Sequence, residues 1–151
     1  MSRTDAIKSI LTEQINGYRS LLDLLQRERA CLLRFDPHGV ESLAKEKDTL
    51  VIKLKLLEDE RVRLVWSFAK EHGIIEKAVF TKLTDIAGDD SFQSIRLQLV
   101  SLLQSIMEFN GFNRILIERS AAVVQNALNF LSSIGVVTKT KNSGTLYSRQ
   151  A

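Results

Sequence analysis

The chain has 151 residues, 44% hydrophobic and 26% charged, with a formal net charge of +3; this balance belongs to one globular domain rather than to a disordered chain. Seven Gly and a single Pro leave little sequence for loops, and the lone Cys31 excludes an intrachain disulfide and points to a reducing compartment. No apolar run approaches the ~20 residues of a membrane span, and Asp5, Lys8 and Glu13 interrupt the first apolar residues, so the expectation is a cytoplasmic protein with no direct membrane insertion.

Charge is unevenly placed. Residues 1–90 carry 15 Lys and Arg against 16 Asp and Glu, whereas residues 91–151 carry 6 against 2. The surplus is too sparse for a nucleic-acid partner, and the aromatics fall in apolar stripes rather than among basic residues.

A first helix is predicted from a cap at Ser2 or Thr4 to about Arg34. Its stripe is Ile7, Leu11, Gln14, Tyr18, Leu21, Leu25, Glu28 and Leu32. Gly17 inside it costs ~1 kcal/mol relative to Ala. Phe35-Asp36-Pro37-His38-Gly39 reads as a stop and restart, with Asp36 as N-cap and Pro37 in the first helical position. The second helix then runs to about Glu71 or His72 and ends on Gly73. It carries Leu43, Lys47, Leu50, Leu54, Leu57, Arg61, Leu64 and Phe68, and its remaining surface, dense in alternating charge, reads as solvated.

Folded back at Pro37, the two stripes match residue for residue at an index sum of 75. Even the polar interruptions coincide, Glu28 with Lys47 and Gln14 with Arg61. A long antiparallel helical hairpin is predicted, its register set by those two polar pairs. Cys31, beside the seam, reads as a small buried hydrophobe.

Residues 75–86 form a short amphipathic connecting helix with Ile75, Val79, Leu83 and Ile86 on one side, followed by a break at Gly88 and an Asp90/Gln93 capping box. A third long helix is predicted from about Ser91 to Ser133, so the fold is all-α. One of its stripes, Phe92, Ile95, Leu99, Leu102, Ile106, Phe109, Asn113, Leu116, Ser120, Val123, Ala127 and Phe130, is assigned to the core. A second comprises Val100, Leu103, Met107, Asn110, Ile117, Ala121, Val124, Leu128 and Leu131. At 1.5 Å per residue the helix spans ~60 Å against ~45–50 Å for the hairpin, and charge vanishes between Ser120 and Val137. The second face therefore needs a partner helix, with Met107, Ile117, Ala121, Val124, Leu128 and Leu131 as a groove to receive it.

Residues 1–137 are thus expected to form one helical-bundle domain, and 138–151 an extended polar tail with Leu146 and Tyr147 as a short docking motif. Chemistry-bearing patterns are missing. His38 and His72 sit at helix boundaries without metal-ligand spacing, no phosphate loop or nucleophile elbow occurs, and Glu58, Asp59 and Glu60 are consecutive and point around a helix. The expectation is no enzyme and no cofactor.

The helices resemble those of the FlgN family of flagellar export chaperones. The resemblance rests on Leu21-Leu22-Asp-Leu-Leu-Gln-Arg-Glu28, Leu43-Ala-Lys-Glu-Lys47-Asp-Thr-Leu50, Leu56-Leu57-Glu58-Asp-Glu-Arg61 and above all Asn110-Gly-Phe-Asn113-Arg-Ile-Leu116-Ile117-Glu-Arg-Ser120. It implies a cytoplasmic chaperone that binds C-terminal helices of flagellar hook-associated proteins and delivers them to the membrane-embedded export gate. By the same resemblance Asn110, Asn113, Leu116 and Ile117 belong to the client-binding region and Tyr147 to gate contact, although Ser148-Arg149-Gln150 replaces the family's glycine-containing ending. Two other readings of the residues stay open: a coiled-coil module dimerising through the third helix, and an adaptor holding acidic partners through Lys139, Lys141 and Arg149. The expected assembly is a monomer or weak homo-oligomer.

Overall fold

The computed structural model describes residues 2–135. Its helices are α1 (Arg3–Leu33), α2 (Pro37–His72), α3 (Val79–Ala87) and α4 (Ser91–Ser133), with a 3-10 turn at Glu76–Ala78 leading into α3. No strand occurs among the described residues, and the fold is all-α. The tail at 138–151, Tyr147 included, lies outside them.

Each helix end has a local cause. Ser2 and Asp5 form a reciprocal cap on α1: the Asp5 N–H donates to Ser2 Oγ at 3.1 Å and the Ser2 N–H to Asp5 Oδ2 at 3.3 Å. Hydrogen bonding from Ser2 holds the Asp5 carboxyl below its usual range. At the far end of α1 the Asp36 N–H reaches Cys31 O at 3.0 Å and the Phe35 N–H reaches Leu32 O at 3.3 Å. This is a Schellman motif with Phe35, rather than a glycine, in the left-handed position at φ 52°. Asp36 Oδ1 then accepts the Gly39 N–H at 3.0 Å and starts α2. The end of α2 repeats the motif with Gly73 at φ 63°, where the Ile74 N–H meets Ala69 O at 3.0 Å. At the start of α4 the capping carboxylate is Asp89, not the expected Asp90: its Oδ1 accepts the Ser91 N–H at 3.0 Å and the Ser91 hydroxyl at 2.6 Å.

The chain divides into two compact units. Unit 1 holds residues 1–22 and 48–106. Its core joins α1 (Ile7, Ile10), α2 (Leu54, Leu57, Leu64, Val65, Phe68), α3 (Val79, Leu83) and Phe92 of α4. Phe68 and Phe92 are almost wholly buried. Gly17 is buried where α1 approaches α2, and a Cβ there would stand 2.6 Å from Leu54 Cδ2. The glycine is therefore what permits the approach, and its helix-propensity cost is the smaller consideration. Arg3 pairs with Glu71 at 2.6 Å and Gln14 with Glu58 at 2.8 Å; the numbers rise on α1 as they fall on α2, as antiparallel helices require.

Two expectations for unit 1 are corrected. Gln14 and Arg61 do not pair with each other. Both bond Glu58 instead: Gln14 Nε2 donates to its Oε2, and Arg61 Nε and Nη2 donate at 2.9 and 2.6 Å. Arg61 has a carboxylate three residues earlier on its own helix, a closer partner than a neutral amide across the seam. Ile75 and Ile86 are exposed, unlike Val79 and Leu83; the 3-10 turn at Glu76–Ala78 takes Ile75 out of phase with α3, and Ile86 lies in the last turn of that helix, just before the Gly88 cap.

Unit 2 holds residues 23–47 and, within the described part, 107–135. Leu24, Leu25, Cys31, Leu32, Val40, Leu43 and Ile117 are buried in it. Arg27 meets Glu46 at 3.1 Å and Lys47 meets Glu28 at 2.8 Å, again with opposed numbering.

Candidate binding face of the last helix

Unit 2 buries polar groups. Glu28 of α1 has no exposed surface, Asn113 of α4 is 1% exposed, and Ser120, seven residues further along α4, is also buried. Lys47 Nζ donates to Glu28 Oε2 at 2.8 Å, while Asn113 Nδ2 donates to Glu28 Oε1 and to Leu25 O, both at 2.9 Å. One ammonium and one amide thus satisfy a carboxylate removed from water. The arrangement orients Asn113 as well, since its amide nitrogen has two acceptors and its Oδ1 is buried without a partner. The desolvation of that orphan acceptor offsets part of what the two donated bonds contribute.

Outside, the composition inverts. Met107 is 74% exposed, Phe130 65%, Ile134 57% and Val123 54%. Phe112, also exposed, lies with Phe109 around the Arg29 guanidinium, which is 4.6 Å from the Phe112 ring centre and 5.7 Å from that of Phe109. Between Ser120 and Gly135 no charged side chain occurs, and neutral groups pair locally, as where Gln125 Nε2 donates to Asn129 Oδ1.

The residues assigned to a partner-binding groove are therefore dispersed. Met107 and Asn110 are exposed; Leu116, Ala121, Val124, Leu128 and Leu131 are half-buried; Asn113 and Ile117 are buried within unit 2 and face no solvent. The physical reason is the difference between 3.5 and 3.6 residues per turn. A stripe stepped in sevens drifts by about 20° per heptad around a straight helix. Over the length of α4 the core stripe that begins at Phe92 drifts outward, so that Val123, Ala127 and Phe130 are exposed. Ile117, Val124, Leu128 and Leu131 rotate inward to replace them. Phe112, Leu116, Val123, Phe130 and Ile134 then share one flank, an apolar face that α4 itself does not cover. Counting at 3.6 along the sequence would have found this flank; alternating threes and fours did not.

A second exposed apolar face escaped the sequence reading. On α2, Ile52, Leu56 and Trp66 stand out among the charges that had suggested a wholly solvated surface. Their positions repeat at helical spacing, and this was the available signal.

Among the described residues no cluster of three or more His, Cys, Asp or Glu side chains could hold a metal ion, and no helix is long and apolar enough to cross a membrane. A helical frame that buries polar groups and presents oily ones defines a protein-binding module. The family model described as FlgN protein matches residues 1–150, and the chain belongs to the FlgN family, a family of flagellar export chaperones rather than of enzymes. Its members bind flagellar hook-associated proteins. No curated protein and no solved structure matches the chain.

Proposed function

We propose that this protein is a cytoplasmic chaperone that shields C-terminal helices of hook-associated proteins on the outer flank of α4 and hands them to the export gate. The supporting observation is the inversion in unit 2: Asn113 and Ser120 lie inside while Val123, Phe130 and Ile134 lie outside. An amphipathic client helix laid along Phe112, Leu116, Val123, Phe130 and Ile134 buries both apolar faces at once, a helix-in-groove mode of recognition. Release for export calls for a micromolar rather than picomolar complex, about −8 kcal/mol. The half-buried edge formed by Val124, Leu128 and Leu131 supports the flank from within. On this reading residues 1–137 are the chaperone domain, and 138–151, with Tyr147, is the segment that meets the gate.

The test is a titration of the full chain with a client's C-terminal helical peptide. Val123→Asp with Phe130→Asp abolishes capture and leaves helix content and melting temperature unchanged, because both side chains are solvent-exposed. A folded double variant that still binds overturns the assigned flank. A tight homodimer that buries Phe130 without any client would make this flank the seam of a dimerisation module instead.

A further inference from the structure

We propose, resting on the client reading of the outer flank of α4, that this flank also selects by charge: Arg29 and Arg119 each receive a side-chain carboxylate of the client helix. Arg29 of α1 is half-buried, its guanidinium carbon 4.6 Å from the centre of the Phe112 ring and 5.7 Å from that of Phe109. Whereas Arg3, Arg27, Arg61 and Arg63 each meet a carboxylate at 2.6–3.1 Å, Arg29 has neither an ion-pair nor a hydrogen-bond partner among the described residues. Arg119 is unpaired in the same sense and is exposed. It stands three residues after Leu116 and four before Val123, and so fills the step of the flank between them. Arg114, also without a partner among the described residues, points to the opposite side of α4. Arg29, Arg119 and the flank all belong to unit 2.

Stacking and pairing are compatible in arginine. The ring contact uses a face of the planar guanidinium, while its N–H donors point outward in the plane, where a carboxylate meets them as a fork. With the flank bare, solvent reaches those donors. A client helix laid over Phe112 and Leu116 covers them. Within a helix the backbone carbonyls are already bonded, so a side chain has to replace the solvent, and a cation left without an acceptor opposes docking. A carboxylate turns that penalty into a charge-assisted bond. Arg119 repeats the requirement seven residues beyond Phe112, ~10 Å along the helix. Past it, from Ser120 to Gly135, the flank carries no charge, and a carboxylate pressed against Val123 or Phe130 would be desolvated without a partner. One turn before Phe112 stands the exposed Glu108, which repels a carboxylate on that side. Charge therefore fixes the register of the client and the end of its apolar stripe that must be acidic, a discrimination that apolar contact alone does not supply.

The full chain is titrated with the C-terminal helical peptide of a hook-associated protein in two forms, natural and with every Asp and Glu changed to its amide. The amide form is expected to bind about tenfold more weakly at low ionic strength, and the gap to close near about 0.5 M salt. Arg29→Met keeps an unbranched stem against Phe112 and removes the charge. It weakens the natural peptide about tenfold and leaves the amide form unaffected. Arg119→Gln does the same on a smaller scale, about two- to threefold, because its pair stays nearer water. Arg29→Glu then prefers a peptide whose carboxylates are replaced by Lys. Circular dichroism and melting establish that each variant is folded. Equal binding of the two peptides overturns the proposal. So does an Arg29→Met variant that loses both alike, which would make Arg29 a packing residue, or a loss that follows amidation of the peptide's C-terminus instead. Val123→Asp with Phe130→Asp separates the two levels. If that variant loses capture while Arg29→Met and Arg119→Gln bind as wild type, selection by charge alone falls; if it still binds, the flank falls and the charge reading with it.

Discussion

The two units differ in the polar groups they bury, although each exposes large apolar side chains: Ile52, Leu56 and Trp66 in unit 1, Val123 and Phe130 in unit 2. Unit 1 closes over Phe68, Phe92 and a cluster of aliphatic side chains, and among the described residues Gln14 is the polar side chain it buries. Its polar cluster of Gln14, Glu58 and Arg61 reaches solvent through a Glu58 side chain that is 41% exposed. Unit 2 buries Glu28, Asn113 and Ser120 and leaves Phe130 and Val123 in water. The first distribution makes a stable frame. The second lowers what the end of α4 gains from its own fold and raises what it gains from a partner, which is the energetic signature of a binding surface.

The largest expected effect tests the buried cluster. Glu28→Ala strands the Lys47 ammonium and removes one acceptor from Asn113, and it should cost about 3–5 kcal/mol in denaturant unfolding. Changing Glu28 and Lys47 together to Leu should cost much less, because no charge is left buried. Equal losses for the two variants would show that the ion pair itself, rather than the penalty of breaking it, holds unit 2.

Asn113→Ala should cost about 1–3 kcal/mol, since it removes both amide bonds along with the orphan Oδ1. A loss near zero would mean that the orphan acceptor already cancels what the two donated bonds provide.

The open cluster in unit 1 responds more weakly and depends on pH. Hydrogen bonds from Arg61 first and Gln14 next hold the Glu58 carboxyl below its usual range, against the opposing effect of burial. A carboxyl whose folded pKa is depressed stabilises the fold above its unfolded value, about 4.3, and loses that contribution as pH falls through the lower folded value. Arg61→Ala should therefore cost below about 1 kcal/mol at neutral pH, and the difference from wild type should vanish in acid. A gap that widens on acidification would contradict the assignment.

The smallest effect is a gain. Phe35 holds φ 52° in a position that glycine fills at the end of α2. Phe35→Gly should therefore stabilise by about 0.5–1 kcal/mol in thermal melts. A loss would show that the exposed phenyl ring makes contacts worth more than the backbone strain.

Much of this architecture could be read before any coordinates. Pro37, Gly73 and the break at Gly88 place the helix ends because their causes are local: a fixed φ, a left-handed cap, a missing side chain. Glu28 and Lys47 could be matched because each interrupts an otherwise apolar stripe, and two interruptions at one level have few ways to be satisfied. The candidate face was harder. Which flank of α4 lies outside depends on phase accumulated over 43 residues, where a tenth of a residue per turn decides the answer. Glu58 escaped notice because consecutive acidic residues look alike in sequence, and only packing shows that this one receives Gln14. Trp66 was hidden among the charges of α2 for the same reason.

The account depends most on the outer flank of α4 being the place where a client helix lies. A photo-crosslinking side chain at Phe130, compared with one at Trp66, tests this directly in the full chain mixed with a client's C-terminal peptide. Crosslinks to the peptide from position 130 and none from position 66 are predicted; peptide captured at 66 while 130 stays silent would contradict the central claim.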